Sequence, residues 1–304
     1  MRFTLQHPIA SASCAASFLE PRNVIRFAAA AEAAGFSAVA FTEHPAPSHK
    51  WISSGGHDSF DPLTALAFCA AVTDRVLLMS YLLVLPFRNP LLAAKQVATL
   101  DVLSGGRAVV GVGAGYLRSE FSALGVEHAE RSELLDEGID AMLGIWTQDG
   151  YTVRGRHFFS PGQTARPRPV QQPHPPLWIG GNSGRARQRA VRVGSGWAPL
   201  LIDGDTAAML GTSAIPGIAE LRAGIDDLRR RTEQAGRELS DIEVQVEGAP
   251  TTRMERPAAE TLEMVGALAD VGVGWMVVDP PADDVERALD AIAAYGADVV
   301  GACA

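Results

Sequence analysis

The sequence predicts an α/β fold, a (β/α)8 TIM barrel, because short apolar runs alternate with helical patterns along the whole chain. Eight apolar runs are predicted as strands: 3–7, 38–42, 76–83, 107–112, 177–180, 196–200, 242–247 and 274–278. The helical patterns lie at 22–35, 61–72, 90–103, 131–147, 184–193, 216–236, 257–271 and 283–295. Strict alternation favours a closed barrel. A doubly wound open sheet remains the alternative if one or two short strands are misassigned.

The segment 76–116 is the clearest of these units and predicts a βαβ crossover in a parallel sheet. An apolar run, VLLMSYLLVLPFRN, precedes PLLAAKQVATLDVLSGG, which has apolar residues at helical spacing. The next strand, in RAVVGVGAGY, ends in Gly111, Gly113 and Gly115. Glycines permit close approach or a sharp turn, and α/β proteins bind ligands at this end of parallel strands. The unit therefore predicts a small-molecule site.

Two connections are longer than the usual loop. The segment 43–60 follows the second strand, which on a barrel places it on the ligand-binding face. The segment 148–176 carries six prolines and forms an insertion between the fourth helix and the fifth strand. Its YTVRGRHFF stretch predicts a short hairpin, and the rest must cross the barrel bottom or wrap around its side. No shift in composition marks a boundary, so one domain over 1–304 is expected.

Composition and charge exclude several classes of protein. The chain has 304 residues, 47% of them hydrophobic, so a large core is available. The net charge of −9 argues against nucleic acid as the main partner. Three scattered cysteines (Cys14, Cys69 and Cys303) without C-x-x-C spacing argue against a disulfide framework or a zinc site. No run is long enough for a membrane span, and 8–19 makes a poor signal peptide, so a cytoplasmic enzyme is expected.

Glu43 and His44 follow the second predicted strand and are the first candidates for catalysis. A carboxylate and an imidazole at the carboxyl-end rim of a barrel are well placed to exchange protons with a bound substrate. A purely structural role for the pair stays open. Metal binding with His7 is disfavoured, since the H-x-H spacing of barrel metallohydrolases is absent and no further ligand set follows.

A second glycine cluster predicts an anion site. Gly180, Gly181, Asn182 and Ser183 follow the fifth strand and open a helix whose N-terminal amides suit a phosphate. An ordinary turn with Ser183 as the N-cap is the alternative. The segment 153–192 contains no Asp or Glu and eight arginines: Arg154, Arg156, Arg166, Arg168, Arg185, Arg187, Arg189 and Arg192. This local positive charge favours an anionic ligand with several charges.

No nucleophile elbow, Cys–His pair or glycosidase-type carboxylate pair is evident, which indicates that a cofactor supplies the reactivity. Four segments are informative together: TEHP (42–45), LPFRNPLLAAKQVATLDVLSGGRAVVGVGAGY (85–116), LLDEGIDAMLGIWT (134–147) and HPPLWIGGNS (174–183). In these segments the chain resembles the luciferase-like monooxygenases, in the branch of probable coenzyme F420-dependent oxidoreductases. The resemblance is strong over about residues 20–200, and beyond them it rests on the barrel pattern alone.

The resemblance implies a deazaflavin or flavin ring in the barrel mouth, a cis peptide bond at Tyr81–Leu82 and a homodimer. The implied cofactor contacts are Ser80, Tyr81, Leu82, Gly113, Ala114, Gly115, Gly180, Gly181, Asn182 and Ser183. The chain departs from the F420-dependent sugar-phosphate dehydrogenases at two places. Those have Asp-His where this chain has Glu43-His44, and Glu where it has Tyr116. Sugar-phosphate oxidation is therefore disfavoured relative to reduction of an activated double bond.

The leading hypothesis is an oxidoreductase that moves hydride between coenzyme F420 and a small organic substrate. His44 would donate or accept the proton, with Glu43 orienting it and Tyr116 as a second polar group. An FMN-dependent monooxygenase or flavin reductase on the same fold, and a non-catalytic cofactor carrier, are the alternatives. Residues that could line a substrate pocket, or equally pack in the core, are His7, His49, Trp51, His57 and Trp197.

Overall fold

In a computed structural model, residues 1–248 and 253–303 are described, and ten strands are present among them. The strands are β1 (Arg2–Gln6), β2 (Ala38–Phe41), β3 (Leu77–Val84), β4 (Ala108–Gly113), β5 (Tyr151–Arg154), β6 (Phe159–Gln163), β7 (Leu177–Gly180), β8 (Gly196–Ala198), β9 (Glu243–Val246) and β10 (Trp275–Val278). Eight of them close into a barrel in the order β1-β10-β9-β8-β7-β4-β3-β2, with every pair parallel. The predicted closed barrel is confirmed, and the open-sheet alternative is excluded.

Eleven α-helices connect and cover the strands in the described part of the chain. They are α1 (Pro21–Ala33), α2 (His49–Ser53), α3 (Pro62–Ala70), α4 (Pro90–Leu103), α5 (Arg118–Ala123), α6 (Arg131–Thr147), α7 (Gly184–Val193), α8 (Gly204–Leu210), α9 (Ile218–Gln234), α10 (Ala258–Ala269) and α11 (Val285–Tyr295). Eight of these correspond to the predicted helical patterns. The other three, α2, α5 and α8, have at most seven residues, which is too short for a hydrophobic period to show.

The core has two layers because successive strand residues face opposite sides of the barrel wall. Along β2, Ala38 and Ala40 point into the barrel, whereas Val39 and Phe41 pack outward against the helices. The interior layer is completed by large side chains, among them Met79, Tyr81, Trp178 and Trp275. The barrel is therefore a filled core, and ligands must bind at its mouth.

The insertion contains the predicted hairpin, since β5 and β6 pair antiparallel. The rest of the segment runs along α4 to the start of β4. There Gln171 donates hydrogen bonds to Asp101 through its backbone (3.0 Å) and its side chain (2.6 Å). The same side-chain amide donates to the Ala108 carbonyl at 2.8 Å. The insertion thus wraps around the side of the barrel to the amino end of β4, which lies opposite the mouth.

Within the described ranges, every helix is too short or too polar to cross a lipid bilayer.

Candidate active site

The clearest polar constellation at the barrel mouth is centred on His44, just after β2. Its Nδ1 lies 2.9 Å from Oε2 of Glu120 on α5. Glu120 is 1% exposed, and its other oxygen accepts a hydrogen bond from the Ala46 backbone at 3.1 Å. The backbone N–H of His44 donates to Ser59 Oγ at 2.8 Å, and that hydroxyl donates back to the His44 carbonyl. Both ends of the 43–60 loop therefore fix the imidazole.

The other ring nitrogen of His44 faces aromatic side chains. Nε2 lies 3.4 Å from the Tyr116 hydroxyl, and the ring lies 4.5 Å from that of Trp51 and 5.2 Å from that of His57. A carboxylate beside Nδ1 favours the tautomer that carries its proton there, which leaves Nε2 as an acceptor. The arrangement is an acid–base dyad with one nitrogen held by protein and the other directed to a neighbouring hydroxyl.

Burial sets the protonation of the groups around His44. Desolvation and the Glu120 charge raise the pKa of Tyr116 to about 12, so the phenol keeps its proton at neutral pH and can donate. Desolvation also lowers the pKa of His57, so neutral His57 is favoured. The site can therefore supply one hydroxyl donor and one imidazole base to a bound molecule.

The expectation that Glu43 orients His44 is wrong. Glu43 is 5% exposed, accepts a hydrogen bond from the Val84 backbone at 2.5 Å and pairs with Arg88. Adjacent residues of extended chain point to opposite sides, so His44 faces the mouth while Glu43 faces the end of β3. Glu120 takes the orienting role instead. The sequence signal was its place four residues after Tyr116, at the start of a helix too short to predict.

The Tyr81–Leu82 peptide bond is cis, as the resemblance implied, and the β3–β4 register shifts between Ser80 and Leu83. The Leu82 side chain lies over three glycines. A Cβ on Gly111 or Gly113 would lie 3.0 Å from a Leu82 methyl, and one on Gly180 only 2.0 Å away. A side chain at Gly180 would therefore clash with Leu82, whereas one at Gly111 would clash first with the Ser80 carbonyl oxygen, 2.3 Å away. The predicted contact of these glycines with a cofactor remains a prediction.

The Gly180–Gly181–Asn182–Ser183 segment forms an ordinary strand-to-helix turn, which was the alternative to an anion site. Ser183 is the N-cap of α7 and accepts from the Ala186 backbone at 3.2 Å. The Asn182 amide bonds to the Leu200 backbone N–H and to the carbonyls of Leu200 and Ser213, each at 2.8 Å. Gly181 has a φ of 109°, which favours glycine. The turn is a rigid platform, and phosphate binding at α7 stays a prediction.

The arginine-rich segment is not the free positive surface that its sequence suggested. Arg189 forms a bidentate pair with Asp136 (2.7 and 2.9 Å), and Arg187 pairs with Asp227 at 2.6 Å. The remaining ion pairs join Arg156 to Glu130 and Glu133, Arg166 and Arg168 to Asp149, and Arg192 to Asp140. Within 1–248 and 253–303, Arg154 and Arg185 form no ion pair. Six of the eight arginines are thus paired with carboxylates that lie outside the segment, on or next to α6 and on α9.

Two of the candidate pocket residues lie away from His44. Trp197 is fully buried outside the barrel wall, where its indole donates to the Gly181 carbonyl at 2.9 Å and its ring packs on Gly224 of α9. It cannot line a pocket at the mouth. His7 is 1% exposed, stacks on Phe41 at 4.8 Å and lines a separate cavity at the carboxyl end of β1. Desolvation lowers the pKa of His7 to about 3, so the imidazole is neutral.

Fold and site together define a (β/α)8 barrel with a proton-handling dyad at its mouth. Residues 1–262 match the family model described as luciferase-like monooxygenase, and the chain belongs to that family. Its members are oxidoreductases, with coenzyme F420-dependent and FMNH2-dependent relatives among the matches to this chain.

Two curated relatives illustrate these cofactors. An FMNH2-dependent dimethylsulfone monooxygenase of Pseudomonas putida is 34% identical over 185 residues, which cover 60% of this chain and 47% of that protein. An F420-dependent glucose-6-phosphate dehydrogenase of Beutenbergia cavernae is 29% identical over 277 residues, 90% of this chain and 76% of that protein. The chain thus spans about half the length of the first relative.

Solved structures share the fold over their whole length. A monooxygenase from Streptomyces bottropensis superposes with a TM-score of 0.80 at 21% identity and full coverage of both chains. The coenzyme F420-dependent tetrahydromethanopterin reductase of Methanopyrus kandleri gives 0.74 at 16% identity, with 99% of both chains covered. At these identities the likeness establishes the barrel architecture.

Proposed function

We propose that the protein is an oxidoreductase that transfers hydride between coenzyme F420 and a small organic substrate. The observation that carries the proposal is the His44–Glu120 pair, with Tyr116 at the second nitrogen of the imidazole. Hydride transfer to or from a carbonyl-type or conjugated substrate needs a partner that handles a proton. The glucose-6-phosphate dehydrogenase match, which extends over 90% of the chain, supports the deazaflavin.

The mouth fits a flat ring system. Leu82, Ala114, Gly115, Gly180 and Gly181 are partly exposed there and form a floor of small side chains beside one leucine. Gly115 and Gly181 have positive φ values, which favour glycine, so no side chain covers the backbone at either edge of that floor. A deazaflavin or flavin bound on it would supply the hydride chemistry. The α7 N-terminus, with Gly184 and Arg185 in its first turn, would hold a phosphate.

The chain's own residues would then transfer the proton and exclude water from the site. His44 Nε2 would give a proton to the substrate or take one from it, and Glu120 would stabilise the imidazolium. Tyr116 would donate a hydrogen bond from its protonated phenol. Trp51, whose ring lies 4.5 Å from that of His44, would exclude water from the dyad.

An FMNH2-dependent monooxygenase is the second candidate. The ion pairs around the arginines remove much of the positive charge that had favoured an anionic ligand with several charges. The dimethylsulfone monooxygenase also has the higher identity, 34%. Oxygen chemistry with a reduced flavin would use the same dyad.

Titration of the purified protein with F420 and FMN, each oxidised and reduced, separates the two candidates. The proposal predicts tight F420 binding, seen as a change in deazaflavin fluorescence, and weaker FMN binding. Tight FMN binding without measurable F420 affinity would reject the deazaflavin and favour the monooxygenase. Binding of neither would remove the cofactor proposal altogether.

We also propose that the protein is a homodimer through α3 and α4, in the cytoplasm. Both helices are apolar on nearly all sides, a composition typical of buried helices. Yet Phe68, Leu92 and Leu103 are 42%, 57% and 68% exposed in the single chain. Sedimentation should show a dimer that Leu103→Glu dissociates, with Met209→Glu, 71% exposed on α8, as the matched control. A wild-type monomer would overturn this arrangement.

A further inference from the structure

A cavity of about 450 Å³ opens at the barrel mouth, and neither His44 nor Glu120 lines it. It lies at the carboxyl ends of β1, β9 and β10, where Gln6, Glu247 and Asp279 line it. Volumes of this size hold small organic ligands. The cavity shares no lining residue with the Leu82 floor or the dyad, and His7, a candidate pocket residue from the sequence, lines it.

One of its polar groups is Glu247, which directly follows β9. Protein surrounds the carboxyl, yet the residue keeps accessible surface toward the cavity. The Gln6 amide and the Tyr81 hydroxyl lie beside it as hydrogen-bond partners, and the Asp279 charge is close. Burial first, and then Asp279, raises the pKa of Glu247 to about 8, so the carboxyl carries a proton at neutral pH. A protonated carboxyl has an O–H to donate.

Two buried polar atoms of residues that line the cavity lack normal partners. Gln6 is 6% exposed, and its side-chain oxygen makes no hydrogen bond with any described residue. His7 also lines the cavity; it is 1% exposed, and its Nε2 makes no hydrogen bond with any described residue. Buried polar groups are usually paired, so these atoms indicate a ligand that completes their bonding.

The charge of the lining selects against anions. Glu255, Asp279 and Asp283 add negative charge at the rim. Two arginines, Arg253 and Arg287, also line the cavity. Arg287 is already paired with Asp283 at 2.7 Å and with Glu255. A carboxylate or phosphate entering here would meet more negative than positive charge. An uncharged molecule avoids that repulsion and can still accept a hydrogen bond.

We propose that this cavity is the substrate compartment and that Glu247 donates a hydrogen bond to an oxygen atom of an uncharged organic substrate. The inference rests on the proposed function for the identity of the compartment as the substrate side. Gln6 offers its free oxygen to a hydroxyl on the same molecule. Glu247 is therefore a specificity-determining residue, and the acids at the rim exclude anionic competitors.

Three probes, each with a six-membered carbon ring, test the proposal on the full-length protein without cofactor. They are cyclohexanone, cyclohexanecarboxylate and cyclohexylammonium. Ligand-observed NMR should show cyclohexanone binding best, and weakening as pH rises from 7 to 9 through the pKa of Glu247 near 8. Stronger binding of the carboxylate or the ammonium would overturn the assignment.

Two variants locate the effect at Glu247. Glu247→Gln keeps a donor, so it should retain ketone binding while losing the pH dependence. Glu247→Leu should lower the affinity about tenfold, the cost of one hydrogen bond. Glu233→Gln, on α9 away from the cavity, is the control. A pH dependence that persists in Glu247→Gln would overturn the role of this residue.

The cavity proposal and the proposed function can each be rejected without rejecting the other. F420 and FMN titrations of Glu247→Gln should match those of the wild type, because the residue lies outside the ring floor. If the wild type binds no cofactor, the proposed function falls while the ketone titration still reports on the cavity.

Discussion

At the scale of single residues, the site depends on the direction in which side chains leave the ends of the strands. His44 and Tyr116 follow β2 and β4, whose ends meet at the mouth. Glu43 points away from His44 because neighbouring residues of an extended chain face opposite sides. Glu120 reaches His44 across 76 positions in sequence. The place of a residue along its strand brings it to the mouth, whereas its pairing depends on tertiary packing.

Glu120→Gln should reverse the tautomer of His44. The new side-chain oxygen can accept from the Ala46 N–H, as Glu120 does now at 3.1 Å, which turns the amide NH2 toward Nδ1. The imidazole proton should then move to Nε2, as read from nitrogen-15 chemical shifts of the ring. Turnover with the bound cofactor should fall about 10²-fold or more.

Glu133→Gln, on the exposed side of α6, is the control and should change neither the tautomer nor turnover. An unchanged tautomer in Glu120→Gln would contradict the assignment of Glu120 as the orienting group.

His7 should make the fold sensitive to acid. Its folded pKa is about 3 against an ordinary value of 6.5, so only the unfolded chain binds the proton between these limits. Stability is therefore lost as pH falls below 6.5, by up to about 1.4 kcal/mol per pH unit. His7→Phe should flatten this slope in urea unfolding at pH 7.5, 5.5 and 4.5. Parallel pH curves for the variant and the wild type would contradict the buried, neutral imidazole.

At the scale of elements, the packing of β3 on β4 and β7 depends on glycines under Leu82. Gly180→Ala would place a methyl 2.0 Å from Leu82 Cδ1, and such overpacking costs about 1–3 kcal/mol. Leu82→Ala in the same chain should relieve the clash, so the double variant should be more stable than the sum of the single changes predicts.

Gly184→Ala is the control for this double-mutant cycle, because its added carbon would lie no closer than 3.5 Å to any other atom. Strictly additive losses, measured by urea unfolding, would mean that the Leu82 side chain does not rest on Gly180.

The element scale also shows where charge patterns in sequence mislead. The segment 153–192 carries no acid of its own, yet α6 and α9 pack against α7 and bring Asp136, Asp140 and Asp227 to its arginines. A count of charges within a stretch of sequence includes only neighbours along the chain. In a barrel, the relevant neighbours of a helix come from adjacent βα units.

At the scale of the whole molecule, the barrel could be predicted because its eight strands are buried on both sides and read as apolar runs. All eight predicted strands overlap those of the barrel, with small differences at their ends. The cavity beside Glu247 could not be predicted. It is formed by residues that lie at opposite ends of the chain and meet only when β1 closes on β10.

The central claim is that a deazaflavin ring lies on the Leu82 floor with His44 at its face. A crystal structure of the protein with F420 measures this most directly. We expect the ring over Leu82, Ala114 and Gly115, its phosphate at the α7 N-terminus, and the cavity beside Glu247 still open to a substrate. A ring bound outside the mouth, or one that turns away from His44, would contradict the account.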